Sequence, residues 1–295
     1  MNMLLVSLIC TVLNEEKTIK DYLNSILNQT FLPDEIIIVD GGSKDKTFQI
    51  LKKYEDTHPN LIKVLQLKGA NIAQGRNYAI KNARGIIIVT TDAGCVYDKD
   101  YVKEITKPLL KFLLDNKERF NIKKEDILEY IKNKNLDFND IQKEESAEFV
   151  QGRYYPYQEN NFEYFAGFML VKQKQCKVPS RTSARATAYF KYVWEKVGGY
   201  PEVYVTGEET KFNYNVLDQK FKWACKDTKV FWKMPSNIKQ FYKKFEKYAI
   251  GDVIQGNIFR NKKLLILFFG SFLYLFLLIY SAIFNRTYLL HYYWY

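Results

Sequence analysis

Several short stretches of this chain concentrate side chains able to hold charge or move protons. The run "VTTDAGCVYD", residues 89–98, carries an apolar strand pattern into a polar corner and delivers one carboxylate, Asp92, at its end. The run "EIIIVDGGSKDKT" does the same with Asp40, followed by two glycines. "GEETKFNY" opens a helical pattern with an acid pair, Glu208 and Glu209, while "AQGRNYAI" carries Arg76 and "FYKKFEKY" carries Lys243, Lys244 and Lys247. A carboxylate at the carboxyl end of a strand either meets a ligand there or caps the next turn. An acid pair in the first turn of a helix either takes a proton from a weakly acidic hydroxyl or complements the helix dipole. Clustered lysines beside aromatics suit phosphate or an anionic lipid surface equally well.

The elements that must position these groups alternate in type. "LLVSLICTVL", "DEIIIVDGGS", "LIKVLQL" and "GIIIVTTDAG" read as strands, and between them "EKTIKDYLNSILNQ", "KTFQILKKYE" and "NIAQGRNYAIKNA" have helical apolar spacing. This alternation predicts an α/β fold, a mostly parallel sheet flanked by helices, with Asn14, Asp40 and Asp92 at strand carboxyl ends. Residues 103–146 turn helical and highly charged and are expected to form a surface insertion. Strand patterns return with "EFVQGRYYPY" and "KWACKDTKVFWKM", and a basic amphipathic segment follows at about 238–262.

A chain of 295 residues, 47% of them hydrophobic, can build one large domain with an appendage. Its formal charge of +11 asks for an anionic partner. With no helix-turn-helix, Cys/His finger or RNA-binding aromatic signature, nucleic acid is the least favoured of these. Cys10, Cys95, Cys176 and Cys225 are scattered, so neither a disulfide framework nor a zinc site is expected, and a reducing setting fits. "LLILFFGSFLYLFLLIYSAIF", residues 264–284, is uncharged. As a helix it reaches about 31 Å, enough to span a bilayer core. Arg260, Lys262 and Lys263 before it, against Arg286 after it, place the larger part of the chain on the cytoplasmic side.

Taken in order, "TVLNEEKTIKDYLNSILNQT", "EIIIVDGGSKDKT", "GRNYAIKNARGIIIVTTDAG", "KVGGYPE" and "GEETKFNY" resemble the family 2 glycosyltransferases of GT-A fold over roughly residues 4–260, the 103–146 stretch excepted. The resemblance implies an inverting enzyme that uses a nucleotide-sugar donor. It implies that Thr11, Glu15, Asp40, Arg76 and Asp92 bind the donor, that Glu209 is the catalytic base, and that Glu208 beside it faces acceptor hydroxyls. Arg185, Lys243, Lys244 and Lys247 fall at acceptor-side or phosphate-binding positions. Asp92 matches the first acid of the family's Asp-x-Asp motif and would hold Mg²⁺ or Mn²⁺, but Gly94 stands at the second acid and Gly41 replaces the second acid of Val-Asp-Asp-Gly-Ser. A cation is therefore expected to be shared between Asp92 and the donor phosphates, if one is used.

The domain division expected is a glycosyltransferase domain at 1–262 and a membrane helix with a short tail at 263–295. Transfer to a saccharide, a lipid-linked saccharide or a polyprenyl phosphate at a membrane lipid surface is the function this implies. Two rivals stand beside it. A sugar nucleotidylyltransferase needs a glycine-rich, arginine-containing phosphate loop where this chain has "TVLNEEKT". A non-catalytic, membrane-tethered sugar- or lipid-binding relative is compatible with Gly41, Gly94 and Glu209.

Overall fold

The computed structural model describes residues 5–171, 175–176, 183–204, 206–254, 269–270, 273, 276–277 and 279–280. Eight strands form one sheet: β1 (Val6–Val12), β2 (Glu35–Asp40), β3 (Ile62–Gln66), β4 (Ile87–Asp92), β5 (Cys95–Tyr97), β6 (Phe149–Tyr157), β7 (Thr187–Phe190) and β8 (Trp223–Lys233), in the order β3-β2-β1-β4-β7-β6-β8-β5. The β3-β2-β1-β4 half is parallel throughout, β6 pairs with β8 in parallel, and β7 joins the two halves with antiparallel pairings. β2 is buried at all six positions, as expected of a parallel strand covered on both faces.

The helices follow from their apolar spacing. In α1 (Ile19–Leu27) the buried residues are Ile19, Tyr22, Leu23 and Ile26, one face of a 3.6-residue period. α2 (Thr47–Thr57) and α3 (Ile72–Asn82) complete the alternation, and Asn71 caps α3 in a reciprocal box with Gln74.

The stretch from residue 103 does not behave as a surface insertion throughout. α4 (Tyr101–Asp115) packs on β4, β6, β7 and β8 and buries Ile105, Leu109, Leu110 and Leu113. α5 (Lys124–Asn133) and α6 (Phe138–Gln142) bury Ile127, Tyr130, Ile131 and Ile141, and Tyr130 Oη donates to Asp34 at 2.7 Å. Their charges lie on the outer faces of helices whose inner faces are apolar.

Beyond β6 come α7 (Asn161–Leu170), a 3-10 turn at Ala184–Ala186, α8 (Lys191–Lys196), α9 (Glu208–Asp218) and α10 (Ile238–Ile254). Cys176 and Cys225 are joined in a disulfide with Cα atoms 5.6 Å apart, which corrects the expectation of unpaired cysteines. A separation of 49 residues leaves no sign of that pairing in local spacing. Cys10 and Cys95 are buried free thiols.

The chain divides into two compact units, Met1–Phe245 and Glu246–Tyr295. Among the described residues no helix is long and apolar enough to cross a membrane. Most of the expected span 264–284, and the basic segment beyond residue 254, lie outside the described residues.

Candidate active site

The site is assembled at the carboxyl ends of β1 and β4, where Thr11 and Asp92 are register partners. Helix α3 lies against this corner through Gly75, where a Cβ would come within 2.8 Å of Thr11 Cγ2. The glycine lets the helix approach, and the approach brings the next residue, Arg76, beneath the site with only 5% of its surface exposed.

One short turn then connects the chemistry. Ala184 N donates to Glu209 Oε2 at 2.9 Å, and the next residue, Arg185, places its Nε 3.5 Å from Asp92 Oδ2. Ser183 caps this 3-10 turn and accepts from Arg185 Nη1 at 2.7 Å. Tyr97 fixes it from the sheet side, donating to the Arg185 carbonyl at 2.9 Å and accepting from Asp92 N at 2.8 Å. Consecutive residues therefore bring together an acid from β4 and an acid from α9 that are 117 positions apart in the chain.

The balance of charge around Asp92 is uneven. The Arg185 guanidinium carbon lies 3.8 Å from the centre of the Trp232 ring, and Lys244 Nζ lies 4.1 Å from the same ring. Burial pushes the Asp92 carboxyl up, but Arg185, the Gly94 N–H (2.9 Å), Arg76 and Lys244 together hold it below the usual range. Burial and the neighbouring charge of Arg185 push Lys244 down to about 8, although Asp92, Cys95 and Glu15 oppose them. Glu15, just after β1, is pushed up by burial and by Asp92, while Thr18 Oγ1 donates to it at 2.5 Å and Lys244 opposes the rise.

The acid pair divides at the first turn of α9. Gly207 enters the helix at φ 78°, a left-handed conformation that glycine adopts without strain. Glu209 then reaches the Ser183–Ala186 turn. Glu208 instead turns inward to Arg76 Nη1 at 2.5 Å, with side chains 5% and 7% exposed. Burial first, then the charge of Glu209, raises the Glu208 carboxyl, and Arg76 opposes the rise. Burial works against the charge of Arg76, but Glu208, Tyr200, Glu209 and Asp92 outweigh it and keep the guanidinium firmly cationic.

Three sequence assignments change accordingly. Glu208 does not face acceptor hydroxyls, because its carboxylate completes a buried ion pair. Arg76, expected to bind the donor, is instead the other half of that buried pair. Asp40 is wholly buried, and its two oxygens accept from Gly42 N, Ser43 N, Ser43 Oγ and Gln66 Nε2, so it shapes the turn after β2. Asn14, at φ 56°, holds the same corner by accepting from Lys44 N. Of the three α10 lysines expected at the site, Lys244 reaches the Asp92 cluster, Lys243 is exposed one position round the helix, and Lys247 belongs to the 246–295 unit.

Trp232 is the residue that sequence reasoning passed over. The strand "KVFWKM" puts alternate residues inward, and Val230 and Trp232 follow that rhythm. The alternation was readable, whereas the two cations lying over the indole were not.

Comparison with known proteins gives the family and the fold. The profile described as Glycosyl transferase family 2 matches residues 7–169. The Staphylococcus aureus poly(ribitol-phosphate) beta-N-acetylglucosaminyltransferase TarS is 31% identical over 100 residues, covering 33% of this chain and 18% of its own. A crystal structure of a TarS fragment in complex with UDP-GlcNAc aligns with TM-score 0.53 at 19% identity, over 80% of this chain and 60% of that one. The Escherichia coli UDP-Glc:alpha-D-GlcNAc-diphosphoundecaprenol beta-1,3-glucosyltransferase WfaP is 41% identical over 89 residues, 30% of this chain and 35% of its own. The mannosyltransferase PcManGT from Pyrobaculum calidifontis, in complex with GDP-Man and Mn²⁺, aligns with TM-score 0.57 at 16% identity, over 87% of this chain and 64% of that one. At these identities the structural likeness establishes the fold alone, a GT-A-like α/β architecture. The matched stretch spans less than a fifth of the first curated relatives' length.

Proposed function

Since the chain belongs to glycosyl transferase family 2, we propose that it is an inverting transferase that moves one sugar from a nucleotide-sugar to a hydroxyl or phosphate acceptor at a membrane face. The observation that carries this is the Ser183–Ala186 turn, which holds Glu209 through one residue and faces Asp92 with the next. Transfer by inversion needs two things at one sugar carbon, a base on the acceptor side and positive charge on the departing diphosphate.

Glu209 takes the proton of the acceptor hydroxyl as its oxygen bonds to the anomeric carbon. The bond from that carbon to the donor's diphosphate breaks at the same time, and the electron pair leaves with the phosphate oxygen. Arg185 and Lys244, supported on Trp232, receive this charge, while Asp92 keeps Arg185 oriented. A phosphate acceptor enters already ionised and needs no base.

A divalent cation would supply further neutralisation of the leaving phosphates. The residues present suit it poorly. Asp92 already pairs with Arg185, Gly94 offers no second carboxylate, and Lys244 stands where a dication would be repelled. The chemistry is accordingly assigned to the two fixed cations.

The uncharged run 264–284, with Arg260, Lys262 and Lys263 before it, supports anchoring in the cell membrane with the catalytic unit on the cytoplasmic side. Within that run the described residues Phe269, Leu273, Phe276, Leu277, Ile279 and Tyr280 are helical and expose apolar side chains. The acceptor is accordingly assigned to saccharides presented at that surface, lipid-linked or polymeric. Incubating the full chain with UDP- and GDP-sugars and a membrane extract tests the function. Release of nucleoside diphosphate with sugar appearing in the extract supports it. Sugar 1-phosphate exchange with nucleoside triphosphate, or no turnover with any donor, contradicts it.

A further inference from the structure

The helix α7 turns only part of its apolar surface inward. Its buried residues are Glu163, Ala166 and Gly167, with Phe162 and Leu170 packed partly on the core. A Cβ on Gly167 would lie 2.7 Å from Pro156 Cβ, which shows how closely this side is pressed onto the end of β6. Four other large residues are turned outward, with Tyr164, Phe165, Phe168 and Met169 exposed by 69, 49, 68 and 49%. Isolated exposed apolar residues are ordinary, but four on one face of a ten-residue helix mark a surface that meets something.

The first turns of α10 extend that surface. Phe241 packs on Phe162 and Phe165 at ring distances of 6.1 and 5.8 Å, and on Phe245 at 5.4 Å, which joins the two helices through one aromatic cluster. On the outer side of this cluster Ile238 and Tyr242 are each 67% exposed and Phe245 is 45% exposed, at the i, i+4, i+7 spacing of a single stripe. The exposed positions of 161–170 and 238–245 include two lysines, Lys239 and Lys243, and no carboxylate.

We propose that the joined outer face of α7 and the start of α10 is a membrane-seating surface, with Tyr164, Phe168 and Tyr242 entering the headgroup region of an anionic bilayer and Lys239 and Lys243 meeting its lipid phosphates. Tyrosine and phenylalanine suit that boundary, and lysines around an apolar stripe are the pattern of a helix lying on it. Charge complementarity selects this occupant over a second copy of the chain. A second copy carries the same +11 and would bring the same two lysines against themselves. The inference rests on the membrane reading above and extends it, since it assigns contact to residues of α7 and α10 that precede the apolar run. Its consequence is orientation, because the catalytic unit would face lipid-linked acceptors along a fixed side.

Nitroxide labels on the full chain bound to phosphatidylglycerol vesicles test this, at Phe168→Cys and Tyr242→Cys, with Lys53→Cys on exposed α2 as the aqueous reference. At 168 and 242, collisions with oxygen should exceed those with a water-soluble nickel chelate, and at 53 the order should reverse. Lys239→Glu with Lys243→Glu should reduce this protection about tenfold or more on phosphatidylglycerol and leave it unchanged on phosphatidylcholine. Labels at 168 and 242 that match the one at 53, while the chain stays on the vesicles, overturn the seating surface and leave the anchor standing. A chain that does not bind the vesicles overturns both. Spin–spin broadening that disappears on dilution with unlabelled protein would assign the face to a second copy.

Discussion

At the amino ends of the parallel strands, Glu35 accepts from Ser7 Oγ at 2.6 Å, from Arg84 N at 2.6 Å and from Arg84 Nε at 2.9 Å. At the carboxyl ends of the same sheet, Asp92 faces Arg185, with Lys244 beside it and the Arg76–Glu208 pair beneath. Burial works against the charge on Glu35, but its hydrogen bonds and Arg84 outweigh burial and hold the carboxyl below its usual range. At the other end the balance fails in one place, where Lys244 is pushed down to about 8 by burial and by Arg185. A buried carboxylate whose donors are all supplied by the fold fixes structure. A corner that buries a lysine and an arginine close enough to disfavour one another's charge is arranged for an anion that arrives.

The largest effect that separates the two ends should come from Glu209→Gln. Loss of a general base typically costs about 10² to 10⁴ in rate, and donor affinity should hardly change, because Glu209 contacts Ala184 N and not the cation pair. Steady-state kinetics with direct nucleotide binding will show this split. Glu35→Gln at the other end should lower the melting temperature and leave kcat unchanged.

Next comes the buried pair. Arg76→Ala strands the Glu208 carboxylate, and breaking a buried ion pair by removing one partner costs about 3–5 kcal/mol. Thermal unfolding should show this loss, and Arg76→Ala combined with Glu208→Ala should recover part of it. A fully folded Arg76→Ala with normal stability but impaired donor binding would return Arg76 to the donor site.

Arg185→Ala and Lys244→Ala should each reduce kcat by about 10² to 10³, the range seen when a preorganised stabiliser of transition-state charge is removed. Trp232→Leu should reproduce a fraction of that loss, since it removes the ring both cations lie on.

The fold was legible where one period dominated. β1 to β4 and α1 to α3 could be read because apolar residues recur at period two or 3.6 with polar corners between them. The buried face of α5 was hidden because Ile127, Tyr130 and Ile131 are outnumbered by the Lys and Glu around them. Asp92, Glu209, Arg185 and Lys244 were singled out as types at suitable places, and the structure brings them to one corner. Their division of labour was not legible, since which acid of Glu208–Glu209 turns inward depends on Gly207 and on Arg76, 132 positions earlier. The Cys176–Cys225 disulfide and the Trp232 platform likewise exist only once β8 is placed in the sheet.

The smallest effect is on pH. A lysine lowered to about 8 loses its charge as pH rises through that value, so nucleotide binding should be strongest below pH 8 and weaken above it. For stability the sign is opposite, because the unfolded chain binds this proton more tightly. The group therefore destabilises the fold below about pH 8, and that penalty is relieved as pH rises toward the ordinary lysine range. Lys244→Arg should remove the alkaline decline in binding, which a titration from pH 7 to 10 would record.

The central claim is that fixed cations at the carboxyl end of the sheet, and no resident metal, hold the donor's diphosphate. Calorimetric titration of UDP and GDP into the native chain, Arg185→Ala, Lys244→Ala and Glu35→Gln, all in the presence of a chelator, tests it directly. The result expected is binding of one of the two nucleotides by the native chain and by Glu35→Gln, with at least about tenfold weaker binding, roughly 1.4 kcal/mol, in each cation variant. Binding that vanishes with the chelator, returns with Mn²⁺ and is indifferent to Arg185 and Lys244 would contradict it.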